Sequence, residues 1–189
     1  MNQRERQKLE TRRKIFESAF SLFRKRSFDT VKITDIVKLA DVSVGAFYYH
    51  YPTKETLIDE GYREFDEKLE KAWRIDEPKP GVETIKYLIK VQLKDVQDKG
   101  YEITGIFFKN QVGTSNTYLF TKGRFLYKKL YENVKLVNKK DYSDDEITDS
   151  ILRVSRGAIY DWCLHKGNFD IIKTGLQGLE MVLSYYKTI

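Results

Sequence analysis

Residues able to do covalent chemistry are few in this chain. It has one cysteine, Cys163, and two histidines, His50 and His165. Cys163 and His165 stand two apart, so on a helix they point to different faces and make no dyad. One thiol and two imidazoles cannot form a thiolate cluster or a His-rich metal site. Gly113-Thr-Ser-Asn116 lacks the lysine and the spacing of a phosphate loop. Ser143-Asp-Asp-Glu146 has the spacing of a helix cap, with Ser143 and Glu146 able to satisfy each other's backbone donors. No catalytic residue, metal or cofactor is expected. The chemistry left is non-covalent.

Charge singles out one stretch of the chain. The formal net charge of +6 lies wholly in residues 1–54, with 12 basic and 6 acidic side chains, whereas residues 55–189 balance at 22 of each. A basic excess confined to one end suits a polyanion partner there. No apolar run approaches the ~20 residues that cross a bilayer. Met1 to Arg13 is charged, unlike a signal peptide. A cytoplasmic protein without membrane partners is expected.

These residues need elements to hold them, and the pattern predicts an all-α chain. Proline occurs only at 52, 78 and 80, and apolar residues recur at three- and four-residue spacing. A first helix is expected over about 3–25. Short helices follow at 33–40 and 44–50, joined by Ala40-Asp-Val-Ser43. That turn needs one residue at positive φ, which Asp41 tolerates, and Ser43 is a natural cap. After Pro52, Thr53 can cap a long helix over 54–73. Further helices are expected at 82–99, stopped by Gly100, then at 102–110, 118–139, 144–165 and 169–186. Two short helices packed on a longer one suggest a helix-turn-helix, the second helix entering the major groove. The domains expected are a helix-turn-helix domain over 1–53 (the motif at about 31–50), a connecting helix over 54–76, and a larger helical domain over 77–189.

The run from Thr34 to Leu57 resembles the DNA-binding signature of the TetR family of transcriptional regulators. Val42-Ser43-x-Gly45-x-Phe47-Tyr48 followed by Lys54-Glu55-x-Leu57 carries the likeness, with Ala19-Phe20, Leu22-Phe23 and Phe28 upstream. The resemblance implies that Tyr48 and Lys54 grip phosphates. It places Ser43, Val44, Ala46 and Tyr49 toward the groove, Gly45 where the helix approaches closely, and Thr34 at the DNA side. Phe47 and Tyr51 match positions packed in the small core. Asp41 and Ser27 stand where glycines are usual, and Lys32 where Ser or Thr often caps. Val44 and Ala46 are apolar, so readout leans on thymine methyls, Tyr49 and DNA shape. Arg4, Arg6 and Lys8 can reach DNA as a flexible arm.

The larger domain is less diagnostic. Residues 55–189 hold 18 of the 26 aromatics. Tyr62, Phe65, Tyr87, Phe107, Phe108, Tyr127, Tyr131 and Trp162 can line a helix-walled pocket for an apolar or aromatic effector, or pack as ordinary core. The resemblance favours the pocket. In the last two helices, Ile151, Val154, Ser155 and Ala158 form one stripe and Gly175, Gly178, Leu179 and Val182 another. A monomer can use them internally; the resemblance implies a homodimer interface, matching a palindromic double-stranded DNA operator. The implied function is a ligand-released repressor. A DNA-binding structural or adaptor protein of the same fold, without a small-molecule effector, stays open beside it.

Overall fold

The structure, a computed structural model, describes residues 2–75, 78–113, 118–138 and 142–186. It is helical, and the described residues contain no strand. They form two compact units, Met1–Tyr62 and Arg63–Ile189. This fold class, with an N-terminal helix-turn-helix and a larger helical unit, is the one the pattern predicts.

In the first unit α1 spans Gln3–Phe23, a 3-10 turn Phe28–Thr30, α2 Ile33–Ala40 and α3 Val44–His50. Helix α1 starts at once because Asn2 and Glu5 close a reciprocal capping box. Arg4, Arg6 and Lys8 are therefore helical, which corrects the expectation of a flexible arm. Ile15, Ala19, Phe20 and Phe23 bury one face of α1 with Ile36, Val37 and Ala40 of α2 and Phe47 of α3. Burying each large apolar side chain contributes about 1.5–3 kcal/mol. Asp41 takes the left-handed conformation at φ 54°, its N–H donating to the Val37 carbonyl. Ser27 has φ −54°, so nothing there demands glycine. The absent Ser or Thr cap of α2 is replaced from inside the helix: the Asp35 carboxylate accepts the Lys32 N–H at 3.2 Å and meets Arg26 at 3.1 Å. Those contacts, the backbone bond first, hold its carboxyl below the usual range.

Helix α4 spans Thr56–Ile75 and continues across the division between the units. It begins two residues later than the Thr53 cap predicts. Thr53 caps nothing; its carbonyl accepts the Thr56 hydroxyl at 2.6 Å. The chain before it is drawn elsewhere, because the Lys54 ammonium bonds to earlier carbonyls described below.

In the second unit α5 spans Val82–Lys99, α6 Tyr101–Gly113, α7 Phe125–Val137, α8 Asp144–Leu164 and α9 Ile171–Tyr185, with a 3-10 turn at Tyr118–Phe120. Gly100 ends α5 at φ 86°, where only glycine is unstrained. Residues 114–116 of the expected loop, Lys139, and the first two residues of the expected linker at 76–81 lie outside the described residues. The helix expected from Tyr118 is broken. Thr121 to Gly123 form a turn, and α7 starts after Arg124, whose side chain is pulled inward. Its Nε and Nη2 donate to Asp66 at 2.8 and 3.2 Å, both residues buried. Tyr118 Oη donates to the same carboxylate at 3.1 Å. A core including Phe65, Leu69, Trp73, Leu88, Ile89, Leu93, Leu130, Ile151, Leu179 and Leu183 fills this unit.

Candidate nucleic-acid interface

Helix α3 divides its large side chains sharply. Phe47 is wholly buried, and Tyr51 just after the helix is too, its hydroxyl donating to the Arg12 carbonyl at 3.3 Å. Val44, Tyr48 and Tyr49 point outward, 44, 52 and 69 % exposed. Ser43 caps the helix, its Oγ accepting the Ala46 N–H at 3.0 Å. Thr34, Ser43 and Gly45 are exposed and Ala46 half-buried. A Cβ on Gly45 would meet only Ser43 Oγ at 3.8 Å, so the chain's own packing does not require glycine there. Thr34, Ser43, Val44, Gly45, Tyr48 and Tyr49 are thus brought to the solvent side of one unit.

Tyr49 is held from two sides. The Lys8 ammonium lies 5.0 Å from its ring centroid, and the His50 ring meets it edge-on at 5.0 Å. His50 Nδ1 is buried without a partner. Burial first, then Arg12 and Lys8, push the imidazole below its usual range. The Arg12 guanidinium pairs with Glu60 at 2.6 Å.

Lys54 is placed differently from a simple surface cation. Its Nζ donates to the carbonyls of Phe28 at 2.6 Å and Val31 at 2.9 Å, and sits 4.3 Å from the Phe28 ring centroid. It ties the end of the 3-10 turn to the approach to α4. An ammonium has three N–H donors, so one remains beyond these two bonds. Sequence reasoning missed the tie because it joins positions 23 and 26 residues apart with no periodic signal.

Of the eight aromatic positions expected at a pocket, Phe65, Tyr87, Phe108 and Trp162 share the core cluster of the second unit. Tyr62 is half-buried and belongs to the first unit. Phe65 and Phe107 are buried. Tyr87 meets Trp73 at 6.5 Å, and Phe108 meets Tyr160 at 5.7 Å. Tyr127 stacks on Tyr131 at 6.5 Å and donates to Asp145 at 2.6 Å. Lys122 bonds the same carboxylate at 2.7 Å, and the two contacts hold it below the usual range. Trp162 Nε1 donates to the Phe169 carbonyl, and its ring packs over Gly167. A polar residue that sequence reasoning missed is Gln111 on α6. Both heteroatoms of its amide are buried without a hydrogen-bond partner, an arrangement that costs about 1–3 kcal/mol unless something satisfies it. Burial pushes the Cys163 thiol up to about 11, which keeps it protonated at neutral pH.

The stripes on α8 and α9 largely face inward. Ile151, Ser155, Gly175 and Leu179 are buried within the unit, and Val154, Ala158, Gly178 and Val182 are half-buried. Ser155 donates to Gln92 at 2.6 Å. A Cβ on Gly175 would lie 2.5 Å from Leu93, and one on Gly178 2.8 Å from Val154. The small residues thus let α9 approach α5 and α8 within one chain. Facing out instead are Tyr160, Leu164, Met181 and Tyr185. An open groove of about 920 Å³ runs along Thr174, Gln177, Gly178, Met181, Ser184 and Tyr185.

No helix among the described residues is long and apolar enough to cross a membrane. Among them no three His, Cys, Asp or Glu side chains are grouped to hold a metal.

Comparisons with known proteins cover most of the chain, and the family match falls in the first unit. Residues 15–60 match the model for bacterial regulatory proteins of the tetR family. The chain is 26 % identical over 159 residues to YerO, an uncharacterized HTH-type transcriptional regulator of Bacillus subtilis, covering 81 % of this chain and 55 % of that one. It therefore spans about half the length of that relative. Among solved structures, Thermus thermophilus FadR, a TetR family transcriptional repressor in complex with lauroyl-CoA, superposes with a TM-score of 0.69 at 21 % identity, over 91 % of this chain and 93 % of that one. Salmonella enterica GusR gives 0.64 at 21 % identity, over 94 % and 95 %. At such identities the likeness is one of fold, and the motif carries the rest. Residues 15–60 are thus similar to the DNA-binding segment of bacterial regulatory proteins of the tetR family.

Proposed function

We infer that the protein is a sequence-specific DNA-binding repressor that acts as a homodimer and leaves its operator when a small molecule binds the second unit. One observation carries the DNA reading. Helix α3 is anchored by buried Phe47 and presents Val44, Tyr48 and Tyr49 to solvent, with Lys8 over the Tyr49 ring, within the 54 residues that carry a net charge of +6. Ser43, Val44, Gly45, Ala46 and Tyr49 face the major groove, with Thr34 beside it on α2. Gly45 keeps the helix face flat, and Tyr48 donates to a phosphate. Lys54 serves two ends: two of its donors fix the backbone at Phe28 and Val31, and the third reaches phosphate. Two recognition helices in successive grooves, about 34–36 Å apart, read a palindrome.

The dimer face assigned here is the outward side of α8 and α9, with Met181, Tyr185, Tyr160 and Leu164, continued by half-buried Val154, Ala158, Gly178 and Val182. Ile151, Ser155, Gly175 and Leu179 support it from within.

The effector reading is supported by the unsatisfied amide of Gln111 beside buried Phe107. A ligand that fills it must bind the non-DNA conformer more tightly to release the operator; couplings of this kind are about 1–3 kcal/mol, roughly 5–150-fold in affinity. A second reading, an adaptor with no effector, draws on the aromatics taken up in core packing and ring pairs.

Tyr48→Phe is expected to weaken binding to every duplex alike, and Lys54→Ala to flatten the log affinity against log salt plot by about one phosphate. Unchanged binding in both variants removes the phosphate assignment. For release, lauroyl-CoA and a panel of aromatic acids are titrated against the bound operator. Constant affinity across the panel sinks the effector part and leaves the adaptor reading.

A further inference from the structure

Six basic residues lie on α1, and the structure divides them into two groups. Arg12 pairs with Glu60, Arg13 with Glu17 at 2.7 Å, and Lys14 with Glu10 at 3.3 Å. Arg4, Arg6 and Lys8 have no carboxylate partner among the described residues. The acid between them, Glu5, is engaged by Asn2: its Oε2 accepts the Asn2 N–H and Asn2 Oδ1 accepts the Glu5 N–H, both at 2.9 Å. One negative charge against three positive ones leaves the first two turns of α1 cationic.

Lys8 fixes which side of α1 meets the recognition helix. Its ammonium lies over the ring of Tyr49, on the exposed face of α3. Arg4 is one turn earlier on the same stripe, since residues four apart on a helix are neighbours. Arg6 is two residues from each, about 200° round the helix axis, and faces away. The capping box at Asn2 keeps this stripe helical out to Arg4. A duplex seated against α3 has phosphates on either side of the groove, and the Arg4–Lys8 stripe lies on the Tyr49 side.

We propose that Arg4 and Lys8 form a second phosphate-binding ridge, which takes the DNA backbone flanking the groove entered by α3 and extends the footprint by two phosphates per chain. Tyr49 is its platform, held by Lys8 on one face. The ridge rests on the reading of α3 as the groove-entering helix, and it makes α1 a rigid rather than a flexible contributor.

The test uses the full chain and a mixed-sequence duplex of about three helical turns, with affinity followed across a salt series. Arg4→Gln and Lys8→Gln should each reduce the log–log salt slope by about 0.9 and weaken binding several-fold at low salt. Lys8→Arg should restore the slope, because it keeps the charge. Arg6→Gln should leave the slope as it is. Equal flattening by all three variants would mean a diffuse positive field and no ridge. Unchanged slopes for Arg4→Gln and Lys8→Gln, with the wild type still binding, would also overturn it. A wild type that fails to bind the duplex would instead remove the DNA reading on which the ridge stands.

Discussion

Two pairs of tyrosines stand equally far out of the protein in opposite company. Tyr48 and Tyr49 on α3 are 52 and 69 % exposed, and Tyr160 and Tyr185 on α8 and α9 are 52 and 67 % exposed. In the first pair the Tyr49 ring lies under Lys8, on a helix face within the 54 residues of net charge +6. The second pair lies one turn from Leu164 and Met181, themselves 61 and 76 % exposed. A phenol ring is apolar with a polar tip, so the neighbours decide which part is used. Among cations the hydroxyl can meet phosphate; among leucine and methionine the ring can cover another apolar face. Exposed aromatics therefore identify a partner only together with their surroundings.

The sharpest way to break the comparison is through buried charge, which the second unit has and the α3 face does not. Arg124→Met leaves Asp66 uncompensated in the interior and should cost about 3–5 kcal/mol. Arg13→Gln in the exposed pair with Glu17 should change stability by less than about 1 kcal/mol. Urea denaturation of both variants reads the difference, and similar losses would mean that the interior pair is solvated.

The two tyrosine faces separate by assembly. Met181→Glu combined with Tyr185→Glu should weaken self-association at least 100-fold, about 2.7 kcal/mol, in sedimentation. Tyr48→Glu should leave association intact and abolish duplex binding. The reverse pattern would exchange the two partners.

Glycine sharpens the contrast further. A Cβ at Gly175 collides with Leu93, whereas one at Gly45 meets only Ser43 Oγ at an easy distance. Gly175→Ala should destabilise by about 1–3 kcal/mol. Gly45→Ala should stabilise by up to about 1 kcal/mol through helix propensity, yet weaken DNA binding, because the proposed docking of α3 puts its methyl on the groove side. Thermal melts and duplex titration check both.

The smallest effect is expected from His50. Its folded-state pKa is lowered, so the neutral ring belongs to the fold. Its contribution is complete above the ordinary value of about 6.5 and is lost as pH falls through the lower folded value. Hydrogen exchange of α1 and α3 should quicken below about pH 6.5, and less so in His50→Gln. Equal pH dependence in both would assign the effect to other groups.

Much of the first unit was legible because local rules agree there. The spans of α2 and α3, the left-handed Asp41 and the Ser43 cap follow from turn chemistry and a short apolar period. Lys54 was legible as a cation but not as a tie, since its carbonyl partners lie far back in the chain. In the second unit Ser143 reads as a cap and does accept the Glu146 N–H. The break before α7 was invisible, because it depends on Asp66 and Arg124, 58 residues apart. The stripes on α8 and α9 show the limit of small residues as a signal. Close approach looks alike in sequence whether the other helix belongs to the same chain or to a second copy.

Selection of binding sites from a random duplex library with the full-length chain tests the central claim most directly. A groove-reading α3 on a dimer predicts an inverted repeat, with half-site centres one helical turn apart, about 34–36 Å, or slightly more, bound by two chains. Recovery of no preferred sequence, or of a lone half-site bound by one chain, would contradict the account.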